Sequence, residues 1–370
     1  MKITKVETLY LRQAEVKWQC DSGQDALIVR VHTDAGITGI GEVDSNPMAV
    51  KGAIDGPFSH TTATGLAQVV IGEDPFETEK LWHKMYRANI YGGRRGAGFH
   101  AISGIDIALW DIKAKALGVP VWKLLGGGFH QKIRCYASSL FGPTPEATGD
   151  LARRYRDQGF TAVKFGWDPM GQDEATDIAL VREARRGLGP DADLCIDAGL
   201  VWDAKTAIQR ARAFAEYNPF WLEEPLRPDD YDGYRKLAEA THIRIAAGEE
   251  ESGRAMFLDL MDRGKIDVVQ VDLTRCGGFT EAMKIAALAW DRGLPVANHG
   301  FTTYVNVAAA LHWLNSIPNA LICEFVAEEQ TNLRESVTRQ KLRARDGFLE
   351  IPQEPGLGID LDEEAIPRFL

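Results

Sequence analysis

Apolar and polar residues alternate in the first part of the chain, and this alternation gives way to helical spacing. The alternating stretches, typical of half-buried strands, are residues 3–11, 26–33 and 37–43. Apolar residues then recur at helical spacing over residues 102–116, which predicts an amphipathic helix. Strands followed by helices predict an α+β domain over residues 1–130.

From residue 131 onward, short apolar runs recur, separated by amphipathic stretches of helical character. The runs are residues 133–138, 161–166, 194–197, 220–223, 244–248, 268–272, 295–299 and 321–325. Parallel strands need a crossover of a dozen or more residues, and eight strand–helix units close into a barrel. The pattern therefore predicts a (β/α)8 TIM barrel over residues 131–343. The loop-rich tail, residues 344–370, is expected to pack back on the N-terminal domain.

Composition and charge narrow the function classes. The chain is 45% hydrophobic and 26% charged, with a net charge of −11, which argues against a nucleic-acid partner and an anionic membrane surface. No run approaches the length of a membrane span, so no membrane association is expected. The five cysteines are widely spaced, and no signal peptide is visible. We therefore expect a reduced, cytoplasmic protein.

Three acidic residues close three consecutive predicted strands at equal intervals. Asp197 and Glu223 are 26 residues apart, and so are Glu223 and Glu249. The carboxyl ends of barrel strands converge on one face, and three converging carboxylates are costly without a cation. Oxygen ligands suit a hard divalent ion, so the spacing predicts a Mg²⁺ site. The alternatives are ordinary exposed carboxylates, or ligation by the neighbouring Glu224 and Glu250.

Four more polar residues lie at the same strand ends. Asp272 and His299 end the sixth and seventh barrel strands, where the carboxylate could orient the imidazole and make His299 a general base or acid. The alternative is a structural histidine. Lys164, in the second strand, could bind charge, shuttle a proton or neutralise the acidic cluster. Glu324, in the eighth strand, is either a further acid of the site or half of a salt bridge at the rim.

These residues together resemble the enolase superfamily, in its mandelate racemase-like branch (the mandelate racemase/muconate lactonizing enzyme family). The markers span essentially the whole chain and are Asp197, the run Trp221-Leu222-Glu223-Glu224-Pro225, Gly248-Glu249, Asp272 with Cys276-Gly277-Gly278, and His299. The resemblance implies a modified (β/α)8 TIM barrel with an N-terminal α+β capping domain, in the α/β class. It also implies Mg²⁺ bound by Asp197, Glu223 and Glu249, and a catalytic dyad of Asp272 and His299. Glu324 matches an acid that hydrogen-bonds the enediolate intermediate.

Two departures from the family pattern bear on the reaction. The usual Lys-x-Lys motif is Lys164-Phe165-Gly166 here, so the second base is missing, and the usual Asp-x-Asn is Asp197-Ala198-Gly199. A racemase or epimerase that moves one proton needs a base on each face of the α-carbon. A dehydratase needs one base for the proton and one acid for the departing hydroxyl, and His299 could serve as both in turn.

The sequence therefore favours a Mg²⁺-dependent lyase. Such an enzyme abstracts the α-proton of a sugar-acid carboxylate and eliminates the β-hydroxyl, which makes it an acid-sugar dehydratase. A cycloisomerase or epimerase of a sugar acid or lactone, using the same enolate chemistry, is the alternative. A non-catalytic binding protein is the third reading, and the intact metal triad with the intact dyad argues against it.

The substrate pocket is expected to be closed by loops of the cap. By resemblance, the loops are residues 16–23 and 44–57, which would exclude water from the enolate. The candidate pocket residues are Trp18, Asn46, Lys51, Trp167, Arg275 and Tyr304, the last three of which are more simply explained by packing. The expected partner is a small carboxylate, an acid sugar, and the family resemblance suggests a homo-oligomer.

Overall fold

The computed structural model describes residues 1–18, 22–327 and 332–370. The strands are β1 (Ile3–Arg12), β2 (Asp25–Thr33), β3 (Thr38–Val43), β4 (Phe58–His60), β5 (Ala63–Thr64), β6 (Lys132–Leu140), β7 (Ala162–Gly166), β8 (Asp193–Asp197), β9 (Trp221–Glu223), β10 (Arg244–Ala247), β11 (Val268–Val271), β12 (Val296–Asn298), β13 (Ala320–Val326) and β14 (Phe348–Glu350). The helices are α1 (Pro47–Asp55), α2 (Leu66–Val70), α3 (Thr78–Ala88), α4 (Ala97–Leu117), α5 (Val121–Leu124), α6 (Pro145–Asp157), α7 (Glu174–Leu188), α8 (Ala204–Phe214), α9 (Tyr231–Ala240), α10 (Arg254–Asp259), α11 (Gly278–Trp290), α12 (Tyr304–Asn315) and α13 (Asn332–Val337). Short 3₁₀ turns and one π-turn (Leu260–Gly264) complete the regular structure.

Strands β6 to β13 form a closed parallel barrel. They pair in chain order, and β13 pairs in parallel with β6 to close the sheet. A helix follows each strand, α6 to α13 in turn. The predicted barrel and all eight of its predicted strands are confirmed. The strands could be recognised as apolar runs because both faces of a strand in a parallel barrel are covered.

The barrel interior has an apolar layer beneath a polar one. Each strand contributes one residue to a buried cluster: Tyr136, Ala162, Cys195, Trp221, Ala246, Val268, Ala297 and Ile322. Side chains two positions apart on a strand share a face, so the next inward residues lie above this cluster. On most strands these residues are polar, and they include Ser138, Lys164, Asp197, Glu223, His299 and Glu324. The buried polar side chains of the barrel interior are thus concentrated at the carboxyl ends of the strands.

The N-terminal α+β cap is built on the antiparallel sheet β1–β2–β3 and the long helix α4, with α1 to α3 completing its core. Helix and sheet touch backbone to backbone, since a Cβ at Gly41 would lie 2.0 Å from the carbonyl oxygen of Gly104. The cap docks on the barrel through buried polar contacts. Asp106 accepts hydrogen bonds from the backbone and hydroxyl of Thr280, at 3.0 and 2.6 Å. Glu42 accepts from the backbone N–H of Asn306 at 2.8 Å.

The tail contacts both the barrel and the cap. Its strand β14 pairs antiparallel with β6, a pairing that the loop-rich sequence did not predict. The backbone N–H of Leu357 donates to Asp111 of α4 at 2.8 Å, and Arg30 of β2 forms an ion pair with Glu363 at 2.7 Å. None of the helices within the described residues is long and apolar enough to cross a membrane.

Candidate active site

A cavity of about 360 Å³ opens between the cap and the carboxyl ends of the barrel strands. Its volume lies in the range of small-molecule sites. Its lining comprises Asp25, Ser45, Asn46, Ser138, Ser139, Leu140, Lys164, Gly166, Trp167, Asp197, Glu249, Glu250, Arg275, His299 and Phe301. The cavity therefore joins cap residues to most of the strand-end residues singled out from the sequence.

Asp197 and Glu223 end the adjacent strands β8 and β9, Glu249 follows the end of the next strand, β10, by two residues, and all three are buried. Burial, reinforced by the charge of Glu223, holds the pKa of Asp197 well above its usual range. Burial also raises the pKa of Glu223. Carboxylates that lack enough positive charge nearby behave in this way, and a bound cation removes the cost. The all-oxygen donor set is the kind that Mg²⁺ prefers.

Lys164 is the cation nearest to these acids. Its ammonium group forms a short ion pair with Glu223, lies 2.8 Å from Glu324 Oε1 and 3.9 Å from Asp197 Oδ2. Burial alone would lower the pKa of Lys164, but Glu223 and Glu324 outweigh it and hold that pKa well above its usual range. Lys164 is therefore protonated, which is the arrangement expected of a charge-balancing lysine.

A second group of carboxylates adjoins the predicted ligands. Oxygen atoms of Glu224, Glu249 and Glu250 lie within 4.8 Å of one another. Glu223, by contrast, is occupied by Lys164 and by the indole N–H of Trp221, which donates to its Oε2 at 2.9 Å. Glu224 and Glu250, the competing ligands recognised in the sequence, therefore lie beside the predicted triad, and the ligand roles of the triad stay a prediction.

Asp272 and His299 form a buried hydrogen-bonded pair. His299 Nδ1 lies 2.7 Å from Asp272 Oδ2, and the backbone and hydroxyl of Thr274 donate to the other carboxylate oxygen at 2.7 and 2.6 Å. Burial alone would raise the pKa of Asp272, but the hydrogen bond from His299 and its charge lower it to about 2. An ionised Asp272 places the imidazole proton on Nδ1, which leaves Nε2 as the atom able to take a proton.

The environment of His299 is strongly negative. Burial alone would lower the pKa of its imidazole, but Glu249, Glu324 and the bond to Asp272 raise it to about 10. The nearest of these on the Nε2 side is Glu249, with Oε1 at 3.4 Å. Neutralising the charge of Glu249 would therefore lower the pKa of His299 and favour the unprotonated imidazole that can act as a base.

Glu324 is held ionised between the barrel strands. Its Oε1 accepts from Ser138 Oγ at 2.7 Å, and its Oε2 accepts from the backbone N–H of Gly300 at 2.7 Å. Burial alone would raise the pKa of Glu324, but Lys164 and His299 lower it. Of the two alternatives for Glu324, the structure places it inside the buried site, where it is bonded to Lys164.

Arg275 connects the cap to this site, a link that sequence reasoning missed. Its guanidinium donates to Asp44 Oδ2 at 3.0 Å and to Glu249 Oε1 at 3.2 Å, and its Nε lies 3.8 Å from Asp272 Oδ2. Asp44 follows β3 directly, so the strand-end reasoning used for the barrel could have identified it in the cap. The positive charge of the buried guanidinium thus partly balances the negative charges of Asp44 in the cap, Glu249 in the predicted metal site and Asp272 in the dyad.

The other predicted pocket residues divide into two groups. Those that line the cavity are Asn46, Trp167 and Arg275. Tyr304 follows the packing alternative, because its ring is buried and its hydroxyl donates to Glu335. Lys51 pairs with Asp55 at 2.6 Å and does not line the cavity. Trp18 is exposed, and residues 19–21 of the same loop lie outside the described residues.

Gly166 occupies the position at which the family carries a second lysine. It lies opposite Asp197 on the adjacent strand. A Cβ built on Gly166 would come within 2.8 Å of both Cβ and Oδ2 of Asp197. A side chain at this position would therefore require Asp197, a predicted metal ligand, to move. The close packing of Gly166 against Asp197 is thus incompatible with a lysine at this position.

Comparisons with known proteins agree with this architecture. Residues 6–126 match the mandelate racemase / muconate lactonizing enzyme N-terminal domain, and residues 147–365 match the enolase C-terminal domain-like family. The chain is 35% identical to a D-galactonate dehydratase of Xanthomonas oryzae pv. oryzae, covering 100% of this chain and 94% of that protein. It is 33% identical to a D-galactarolactone cycloisomerase of Agrobacterium fabrum, covering 93% and 90%. The crystal structure of a 3,6-anhydro-D-galactonate cycloisomerase from Zobellia galactanivorans superposes with a TM-score of 0.90 at 33% identity, covering 100% and 99%.

Proposed function

The chain belongs to the mandelate racemase/muconate lactonizing enzyme family of the enolase superfamily, and we propose that it is an acid-sugar dehydratase. The observation that carries the proposal is that, among the described residues lining the cavity, His299 is the one imidazole base and Gly166 stands in place of the second lysine of the family pattern. His299 is oriented by Asp272, whereas Gly166 packs against Asp197 in place of a second lysine. Lys164 is paired with Glu223 and Glu324, which assigns it to charge balance and not to proton abstraction. Dehydration needs one base, and proton-transfer epimerisation needs two.

We propose that Asp197, Glu223 and Glu249 bind Mg²⁺. Their burial, their mutual repulsion and their oxygen donors support this assignment. When bound, the ion supplies the positive charge that stabilises the substrate carboxylate as the α-proton leaves. Lys164 is placed to add a second positive charge beside the same group, since it already contacts two of the surrounding acids.

The proposed reaction uses His299 twice. Its Nε2 takes the α-proton as the C–H bond breaks, and the substrate becomes an enediolate. Asp272, bonded to Nδ1, stabilises the imidazolium that forms. The imidazolium then returns this proton to the β-hydroxyl, the C–O bond breaks, and water leaves from the same face. The remaining enol becomes a 2-keto-3-deoxy acid when C3 takes a proton from solvent and the C2 hydroxyl releases one.

A cycloisomerase of a sugar-acid lactone or anhydro sugar acid is the second candidate. It is favoured by the two similar proteins with that activity, from Agrobacterium fabrum and Zobellia galactanivorans. The same α-proton abstraction by His299 would then expel a ring oxygen instead of a free hydroxyl. The product keeps the mass of the substrate in this case, whereas dehydration releases one water.

The test is a screen of aldonates, aldarates and their lactones with Mg²⁺ in D₂O, read by proton NMR and mass spectrometry. A product that has lost one water, with deuterium at the new methylene, supports the dehydratase. Isomerised product without loss of water supports the cycloisomerase instead. Inversion of the α-carbon with incorporation of solvent deuterium would overturn both, because it requires a second base.

A further inference from the structure

Among the described residues, the wall that the cap contributes to the cavity carries hydrogen-bonding groups and no cation. It consists of Asp25, Ser45 and Asn46. Ser45 and Asn46 both have left-handed backbone conformations, with φ of 70° and 47°, which is unusual for two consecutive residues other than glycine. Such strain persists where the surrounding structure enforces it, and it is concentrated at functional sites. The wall is therefore a built part of the cavity.

Asp25 is held in place through one of its two carboxylate oxygens. The hydroxyl of Tyr10, across the β1–β2 pair, donates to Asp25 Oδ2 at 3.0 Å. Within the described residues, its second oxygen, Oδ1, has no hydrogen-bond partner. An ionised carboxylate only accepts hydrogen bonds, so the group that suits Oδ1 is a donor such as a hydroxyl.

The cations that line the cavity are already committed to acids of the protein. Lys164 pairs with Glu223 and Glu324, and Arg275 with Asp44 and Glu249. They are the only lysine and arginine among the described lining residues. A metal ion bound by the predicted triad, together with Lys164, can balance the charge of one substrate carboxylate. The predicted metal ligands lie on the barrel side of the cavity and Asp25 on its cap side, so a substrate held by one carboxylate at the metal turns its other end toward Asp25. A second carboxylate at that end finds no free cation in the described lining.

We propose that Asp25 is a specificity residue that accepts a hydrogen bond from a hydroxyl at the far end of the substrate and disfavours a carboxylate there. The substrate class is then a monocarboxylic sugar acid, an aldonate or its anhydro or lactone form, and not an open-chain aldarate. This inference rests on the proposed function. Burial raises the pKa of Asp25, and the hydroxyl of Tyr10 and the charge of Arg12, its partner across the β1–β2 pair and outside the lining, act in the opposite direction and favour the carboxylate.

The experiment compares kcat/KM for a hexonate and for the hexarate of the same configuration, which differ only at the far carbon. In the unaltered enzyme we expect the hexonate to be preferred by roughly 100-fold, the effect of a like charge at close range. Asp25→Asn should reduce this preference to about 10-fold or less, by lowering hexonate turnover and raising hexarate turnover. Tyr10→Phe, which keeps the charge but releases the carboxylate, should lower hexonate turnover and keep the rejection of the hexarate.

The matched control is Glu7→Gln, which removes a carboxylate from the same cap sheet without touching the cavity. It should leave the preference unchanged. Equal turnover of the two acids by the unaltered enzyme, or an unchanged preference in Asp25→Asn, overturns the inference while leaving the dehydratase assignment intact. A chain that turns over no sugar acid of any kind overturns the proposed function, and this inference with it.

Discussion

Replacing Asp272 by Asn tests the dyad with almost no change in shape. The two donors of Thr274 lie 2.7 and 2.6 Å from Asp272 Oδ1, so they would hold the amide oxygen in that place. The NH₂ group would then face His299 Nδ1, where Oδ2 stood at 2.7 Å. Because an amide N–H can only donate, Nδ1 must become the acceptor, and the ring proton moves to Nε2. The atom that should take the α-proton is then already protonated.

The expected loss is large. A hydrogen bond to a charged group contributes about 1.5–3 kcal/mol. The reversed tautomer adds to this loss, and comparable dyads lose about 10⁴-fold in kcat. We therefore expect Asp272→Asn to lower kcat and the rate of α-proton exchange together, by about 10³- to 10⁴-fold. Exchange of the substrate α-proton in D₂O, followed by NMR, measures this step apart from the elimination.

Thr274→Val is the matched control. It removes the hydroxyl that donates to Asp272 Oδ1 but keeps the backbone donor and the contact with His299. The hydroxyl donates to an ionised carboxylate, a hydrogen bond worth about 1.5–3 kcal/mol, so the loss should stay below roughly 200-fold and under that of Asp272→Asn. Exchange at an unaltered rate in Asp272→Asn, or an equal loss in the two variants, would refute the reasoning.

Three further outcomes are expected. Glu223→Gln should abolish Mg²⁺ binding measured by calorimetry, whereas Glu250→Gln should retain it; the reverse result would move the ligand role. Gly166→Ala should weaken Mg²⁺ binding and turnover together without producing epimerase activity, because the added Cβ would lie 2.8 Å from Asp197. Burial raises the pKa of Asp106 to about 7, so the folded protein holds a proton that the unfolded chain releases, and stability falls as pH rises from about 4 to 7. Asp106→Asn should reduce this fall by up to about 4 kcal/mol in denaturation curves, and parallel curves for the two proteins would contradict it.

The barrel could be predicted because its strands impose a simple pattern. Strands covered on both faces read as short apolar runs, and the residue that ends each run is where polar groups become possible. Asp197 and Glu223 end their strands within the register of a regular barrel, so equal spacing was enough to place them on one face. His299 and Asp272 became a pair for the same reason, since β11 and β12 are neighbours.

Contacts between distant segments could not be predicted in this way. Asp44 and Arg275 are 231 residues apart, and no periodicity relates a cap turn to a barrel loop. Asp25 looks like any polar residue at a strand start until the cap sheet is docked over the cavity. The pairing of β14 with β6 was hidden because three residues in a loop-rich tail carry no alternation of their own. These features depend on how the folded units meet, which local sequence does not encode.

The Arg275–Asp44 ion pair crosses the boundary between cap and barrel, so an acid of the cap balances a cation of the barrel. A barrel freed of residues 1–130 would keep its acids and its dyad, but the Arg275 guanidinium would lose Asp44 and keep only Glu249 and Asp272. The electrostatic balance of the acidic site would shift although no barrel residue had changed. Cap exchange between relatives should therefore preserve chemistry only when the incoming cap brings an acid to this place. In this chain, the charge balance of the site is therefore kept only when the cap and the barrel stay together.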